Sequence, residues 1–147
     1  VVELRTSAAA SKDELIHGLN QDMAAEWGRV LATLRLVTSG HPEVTESMRH
    51  ALTERIKREI DHVRDLASAV VELGGEPTHL PRDYPHHDDL SLTFRLHAEI
   101  ERELAERYDQ RAALAETFGE NHLAEKLRRM AHAKRESVAA SCTEFAM

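Results

Sequence analysis

Four stretches of apolar residues recur at steps of three, four and seven, and only three breaks separate them. A strand needs alternation at steps of two, so this pattern admits long amphipathic helices and little else. The first stripe runs Leu15, Leu19, Met23, Val30, Leu34 and Val37 until Ser39-Gly40 stops it. Ser11 with Glu14 three residues later reads as a capping box, which predicts helix one over roughly 12 to 38 and leaves residues 1–10 as a flexible N-terminal arm. The second stripe is Met48, Leu52, Ile56, Val63, Leu66, Val70 and Leu73. It predicts helix two over roughly 43 to 73, with Pro42 in its first turn and Gly74-Gly75 as its stop. Helix three is expected to begin at Asp88 or Asp89 as cap and to carry Phe94, Ile100, Leu104 and Tyr108 to Phe118-Gly119. Asn121 is expected to cap helix four, whose stripe is Leu123, Leu127, Met130, Val138 and Phe145.

The links Ser39 to Pro42 and Gly119 to Asn121 are short enough to force antiparallel neighbours. The sixteen residues from Gly74 to Asp89 are different: they hold Pro77, Pro81 and Pro85, three of the four prolines. These deny the segment a helix, and at ~3.3 Å per residue it spans about 50 Å, enough to run the length of a bundle. The expected architecture is therefore one all-α domain over residues 1–147: a four-helix bundle with a long crossover between helices two and three, which lie parallel. Composition agrees, with 41% hydrophobic and 31% charged residues and only six glycines. All-β, collagen-like and disordered classes fit it poorly. The net charge is −7 with Lys and Arg scattered, so no basic footprint for nucleic acid exists. No run approaches the ~20 apolar residues of a membrane span. Cys142 is the single cysteine and cannot form an internal disulfide. With no basic-then-apolar start, this points to a cytoplasmic setting.

The residues that carry chemistry are those that break the stripes. Glu26 lies between Met23 and Val30, on the face that should be apolar. Glu59 and His62 sit between Ile56 and Leu66; Glu101 precedes Leu104 by three and Tyr108 by seven, with His97 one turn earlier. Lys134 falls between Met130 and Val138, with Ser137 beside it. Each intruder is close to the middle of its predicted helix, so all four helices bring polar groups to one central layer. A lone buried carboxylate costs several kcal/mol, and three facing each other demand protons, a cation or a metal. Glu-x-x-His on a helix presents carboxylate and imidazole on one face, a pair that suits Fe(II), Mn(II) or Zn(II). Glu14-x-x-His17 and Glu76-x-x-His79 have the same spacing, but Glu14 serves the cap and Glu76 lies in the crossover.

These residues resemble the ferritin-like superfamily, and bacterioferritin most closely within it. The resemblance covers nearly all of residues 11 to 145: LNQDMAAEW in helix one, EIDHVRDLASAVVELGGEP in helix two, the crossover, then EIERELAERY in helix three. It implies that Glu26, Glu59 and His62 match the ligands of a first iron and that Glu101 matches a bridging or second-site ligand. Such a layer normally repeats Glu-x-x-His in helix four. Aligning LAEKLRRMAHAKRESV to that helix puts Lys134 in place of the Glu and Ser137 in place of the His. Three glutamates and a lysine sum to −2, which one divalent ion neutralises, and the Lys134 ammonium takes the second ion's volume. The expectation is one iron, or Mn or Zn, ion per chain rather than a pair. Ile60 stands where the family's haem-ligating Met would be, so haem is not expected.

Two functional readings follow. In the first, Glu26, Glu59 and His62 hold one ion, Glu101 completes its shell and Lys134 modulates the site; an enzyme of this kind is an iron-dependent oxidoreductase, ferroxidase-like or a mononuclear oxidase. In the second, the layer is a metal-free ion-paired core and the chain serves assembly or partner binding. Lys134 can also be read as snorkelling to solvent, or as a nucleophile. His97 can be read as a ligand to a second ion or as a core histidine. His86-His87-Asp88-Asp89 is either a surface chelate or a solvated loop ending in a cap, and Trp27 is a packing or subunit-contact residue. Family members associate side by side, so a homo-oligomer, dimer or larger, is expected.

Overall fold

A computed structural model describes the backbone of residues 2–145 and the side chains of residues 12–145. Four helices and no strands occur among them: α1 Val2–Thr38, α2 Glu46–Glu72, α3 Leu90–Thr117 and α4 Asn121–Glu144. The helix at the N-terminus begins well before the expected capping box, so Ser11 lies inside α1 and residues 2–10 continue it. That segment contains Ala8-Ala9-Ala10 and neither Gly nor Pro, so nothing in it stops a helix. Pro42 is not in the first turn of α2 but in the turn before it. The cap is Thr45, whose Oγ1 accepts from Met48 N at 3.1 Å. Asp89 caps α3 as expected, accepting from Leu92 N at 3.2 Å. Asn121 is the first residue of α4 rather than its cap, and Glu120 in the cap position makes no side-chain cap bond. Gly74 and Gly119 take φ of 89° and 74° just past α2 and α3, a left-handed exit that favours glycine.

The apolar contacts fix the directions of the helices. One cluster joins Leu15 and Leu19 of α1, Val70 of α2, Ala112 of α3 and Leu127 of α4. A second joins Leu36 near the end of α1, Leu52 near the start of α2, Leu90 and Phe94 at the start of α3 and Phe145 after α4. The N-terminal ends of α2 and α3 thus lie at the same end of the bundle, so these helices are parallel and the others alternate. In this second cluster Phe94 and Phe145 stack, with centroids 4.6 Å apart.

The inward face is a seam with steps of alternating four and three. In α1 it reads Leu15, Leu19, Asp22, Glu26, Arg29, Thr33, Leu36, all buried. Leu34, expected in the core, is 41% exposed because Thr33 and Leu36 hold the seam instead. In α4 the seam runs Ala124, Leu127, Ala131, Lys134, Val138, Ser141, Phe145, again all buried.

The crossover from Gly74 to Asp89 lies along α1. Asn20 clamps it at both bonding ends: its Nδ2 donates to Glu76 O at 3.0 Å, and its Oδ1 accepts from Thr78 N at 2.9 Å. Arg82 N donates to Ala24 O at 2.8 Å. Gly28 makes this approach feasible, since a Cβ there would stand 2.0 Å from Arg82 O. In an exposed helix, Gly to Ala stabilises by ~1 kcal/mol. Gly28→Ala is expected to do the opposite, lowering stability by about 1–3 kcal/mol as the crossover is forced off α1. Urea denaturation checks the sign, and a stabilised variant would mean that the contact is not tight.

Candidate metal centre

Each helix delivers at least one residue to the same level. Glu26 comes from α1, Glu59 and His62 from α2, Glu101 from α3 and Lys134 from α4. The three glutamates and the lysine are at most 3% exposed. Lys134 Nζ lies 2.8 Å from Glu26 Oε2, 2.5 Å from Glu59 Oε2 and 2.7 Å from Glu101 Oε2. An ammonium has three N–H donors, and here each has its own carboxylate. Burial disfavours the charge on Lys134, but Glu101, Glu26 and Glu59 outweigh it and hold its pKa well above the usual lysine value. This excludes a snorkelling side chain and leaves no free amine to act as a nucleophile.

The carboxylates are tied further out. Tyr108 Oη donates to Glu26 Oε1 at 2.5 Å, and Tyr84 Oη, from the crossover, donates to Glu101 Oε1 at 2.9 Å. Burial and then the charge of Glu59 push Glu26 up to about 8, against the pull of Lys134. Burial would also raise Glu59, but Lys134 overrides it and holds this carboxyl well below its ordinary value. Glu59 therefore carries the charge, and Glu26 is the carboxyl of this pair that takes up a proton more readily.

His62 is the one open position. Its Nδ1 faces Glu26 Oε1 at 3.5 Å and Glu59 Oε2 at 3.7 Å, distances of an ion pair rather than of formed hydrogen bonds. That nitrogen is buried and has no hydrogen-bond partner. Burial would depress the imidazole, yet the two carboxylates raise it to about 9, so without a metal it is a cation. Glu26, Glu59 and His62 each bring a donor atom within 4.8 Å of the others, which no other group of three His, Cys, Asp or Glu does among the described residues. Glu101 stands on the far side of Lys134 from this trio in bonding terms, held by the ammonium and by Tyr84. His97 is turned elsewhere: its Nε2 donates to Pro85 O at 2.9 Å, its ring meets Tyr84 edge-on, and burial and the charge of Arg29 depress its pKa to about 3. It is a neutral histidine packed under the crossover. Ser137 is half-buried and lines a small cavity with Glu101. His17, His79, His86 and His87 are exposed, and Trp27 packs half-buried against the larger apolar cluster.

The sequence reading missed Arg29, Asp22, Arg55 and Tyr84. Arg29 is 5% exposed with Nε 3.9 Å from Glu101 Oε1, so the layer holds two cations against three carboxylates and sums to −1, not −2. Asp22 and Arg29 lie four before and three after Glu26, and Arg55 four before Glu59, so extending the seam through the polar residues would have found them. Tyr84 has no such signal, because the crossover has no period.

No protein-family model matches the chain, and no curated protein does. Solved structures do. A crystal structure of ferritin-like, diiron-carboxylate proteins from Bacillus anthracis strain Ames superposes with a TM-score of 0.83 at 24% identity, covering 88% of this chain and 94% of that one. The chain has the ferritin-like fold. The X-ray structure of Desulfovibrio desulfuricans bacterioferritin, described for its diiron site, superposes with a TM-score of 0.76 at 18% identity, covering 93% and 84%. Within this fold the four seam residues at mid-height are where a polar centre is built from all helices at once.

Removing Lys134 leaves three carboxylates without their common partner, so Lys134→Met is expected to cost about 3–5 kcal/mol in chemical denaturation. A loss under about 1 kcal/mol would show that the ammonium is not what neutralises the layer. Asp22 offers a pH readout. Burial raises it from 3.8 to about 6, only partly offset by Arg111 at 3.2 Å. The folded chain then binds this proton more tightly than the unfolded one, so the contribution to stability is complete below about pH 4 and is lost as pH rises through about 6. Asp22→Asn is expected to flatten that decline by up to about 3 kcal/mol between pH 4 and 7. Parallel stability curves for the two proteins would sink this assignment.

Proposed function

We propose that the chain is a ferritin-like metal-binding protein in which Glu26, Glu59 and His62 hold one divalent ion, iron foremost, and Lys134 stands in place of a second. The observation that carries this is His62 Nδ1, a buried nitrogen with no hydrogen-bond partner facing two carboxylates. Carboxylate and imidazole together are the donor set of Fe(II), Mn(II) and Zn(II). The diiron-carboxylate neighbours support iron among these. A single bound iron would supply one-electron redox chemistry and Lewis acidity, without the paired metals of a diiron centre. The chain's own residues set the surroundings: Tyr108 holds Glu26 through one oxygen, Lys134 holds Glu59 charged, and Glu101 is kept in reserve by Lys134 and Tyr84.

A second reading rests on Lys134 and Arg29. With both in the layer, one proton, on His62 or on Glu26, brings the formal sum to zero, and the chain can fold as a metal-free, ion-paired subunit. Either reading is compatible with a self-associating chain, for which the exposed apolar side chains Leu31, Leu34 and Ile60 on α1 and α2 would be the contact surface. None of the described helices is long and apolar enough to cross a membrane.

Metal per chain by mass spectrometry separates the two. After anaerobic loading with Fe(II) and desalting, the first reading expects one ion per chain in the natural protein and none in Glu59→Ala or His62→Ala. No ion in the natural protein establishes the second reading. The double change Lys134→Glu with Ser137→His is expected to raise the count to two, since Ser137 lines the same cavity as Glu101. A fixed count of one in a folded double variant would show that Lys134 does not occupy the second position.

A further inference from the structure

Beside the layer, toward the Phe145 end, the four helices line a partly open cavity of about 10 Å³, with Arg29, Arg55, Phe94, Glu101, Ser137 and Ser141 among its walls. Arg29 and Arg55 are 5% and 3% exposed. Arg29 Nε and Nη1 and Arg55 Nε are buried N–H groups with no hydrogen-bond partner. Each guanidinium has only a loose ion pair: Glu101 at 3.9 Å from Arg29, and half-exposed Glu144 at 3.7 Å from Arg55. Two buried arginines so loosely paired, lining one cavity with three N–H groups unpartnered, call for a further acceptor.

We propose that this cavity is a site for one monovalent anion of chloride size, bound between Arg29 and Arg55. Its chemistry follows from what the lining offers. All three unsatisfied groups are donors. A water molecule would accept from two of them at most and leave the third N–H unpaired, although Ser141 Oγ, which donates to Ser137 O at 2.9 Å, could still accept from it. Glu101 would repel an anion, but its oxygens are turned to Lys134 at 2.7 Å and to the Tyr84 hydroxyl at 2.9 Å. An anion accepts from every free N–H and offsets the repulsion of the two cations. That repulsion is tangible: burial and then the charge of Arg29 pull Arg55 down to about 10. Size sets the class, because space for about one water-sized sphere excludes phosphate, sulfate and carboxylates. The site involves neither His62 nor a metal, and it shares Arg29 and Glu101 with the layer above.

The test uses the metal-free full chain in sodium chloride against sodium methanesulfonate, an anion too large for the cavity, at equal ionic strength. Chloride at about 0.3 M is expected to raise the melting temperature by about 3–5 °C, saturably, over methanesulfonate. Anomalous diffraction at a wavelength sensitive to chlorine is expected to place an ion between the two guanidinium groups. Arg55→Gln should abolish the chloride increment. Because that change also breaks the contact with Glu144, Ser141→Val provides a second variant that fills the cavity and keeps both arginines, and it should abolish the increment as well. Equal melting temperatures in the two salts, a chlorine-free cavity holding only water, or an increment that survives both substitutions would overturn the proposal.

Discussion

The Lys134 ammonium at the centre of three carboxylates is the contact on which the bundle's interior depends. Its three partners come from three different helices and the lysine from the fourth, so one nitrogen links every rod of the fold. The linkage sets register as well as charge. Sliding one of the carboxylate-bearing helices by a turn moves its carboxylate about 5.4 Å, which takes it out of contact with the nitrogen and leaves that buried charge without its cation. Apolar seams alone tolerate such slips better, since one leucine layer packs much like the next.

The same contact decides what chemistry the interior can host. A metal ion neutralises carboxylates reversibly and brings open coordination positions; a lysine neutralises them permanently and brings none. Held well above its usual pKa by its partners, Lys134 has no lone pair to offer. What remains adaptable is the α2 side of the layer, where His62 can meet Glu26 and Glu59 either as a cation or as a neutral ligand. On the proposed reading a metal would take the place of a proton at this position, beside Glu59 Oε2, the oxygen that Lys134 also holds at 2.5 Å.

The architecture was legible because helix, stop and crossover each have a local cause. Stripes with steps of three and four, Gly74 and Gly119, and three prolines in one gap leave little freedom, and the parallel pairing of α2 and α3 follows from the reach of the crossover. Glu26, Glu59, Glu101 and Lys134 were legible for the same reason, as interruptions of an apolar face. Failures came where apolarity was followed in place of geometry. Leu34 drew the α1 stripe outward, whereas the seam passes through Thr33 and Leu36. The polar members Asp22, Arg29 and Arg55 were passed over because a buried arginine is improbable until its neighbours are known. The start of α1 was misjudged because a capping signal in an alanine-rich stretch competes with simple continuation of the helix. Tyr84 reaches Glu101 through tertiary placement of the crossover, which no spacing encodes.

The polar layer also divides the hydrophobic interior. On one side lies the extended cluster around Leu19, Leu66, Leu104 and Leu127; on the other, the smaller group around Leu52, Phe94 and Phe145. Two cores separated by ionic groups need not open together. The end with less buried apolar surface yields at lower free energy, and amide hydrogens there exchange through partial openings that leave the other half folded. The mid-height charges are thus reached more readily by solvent and small ions through the smaller, Phe145 cluster than through the larger one.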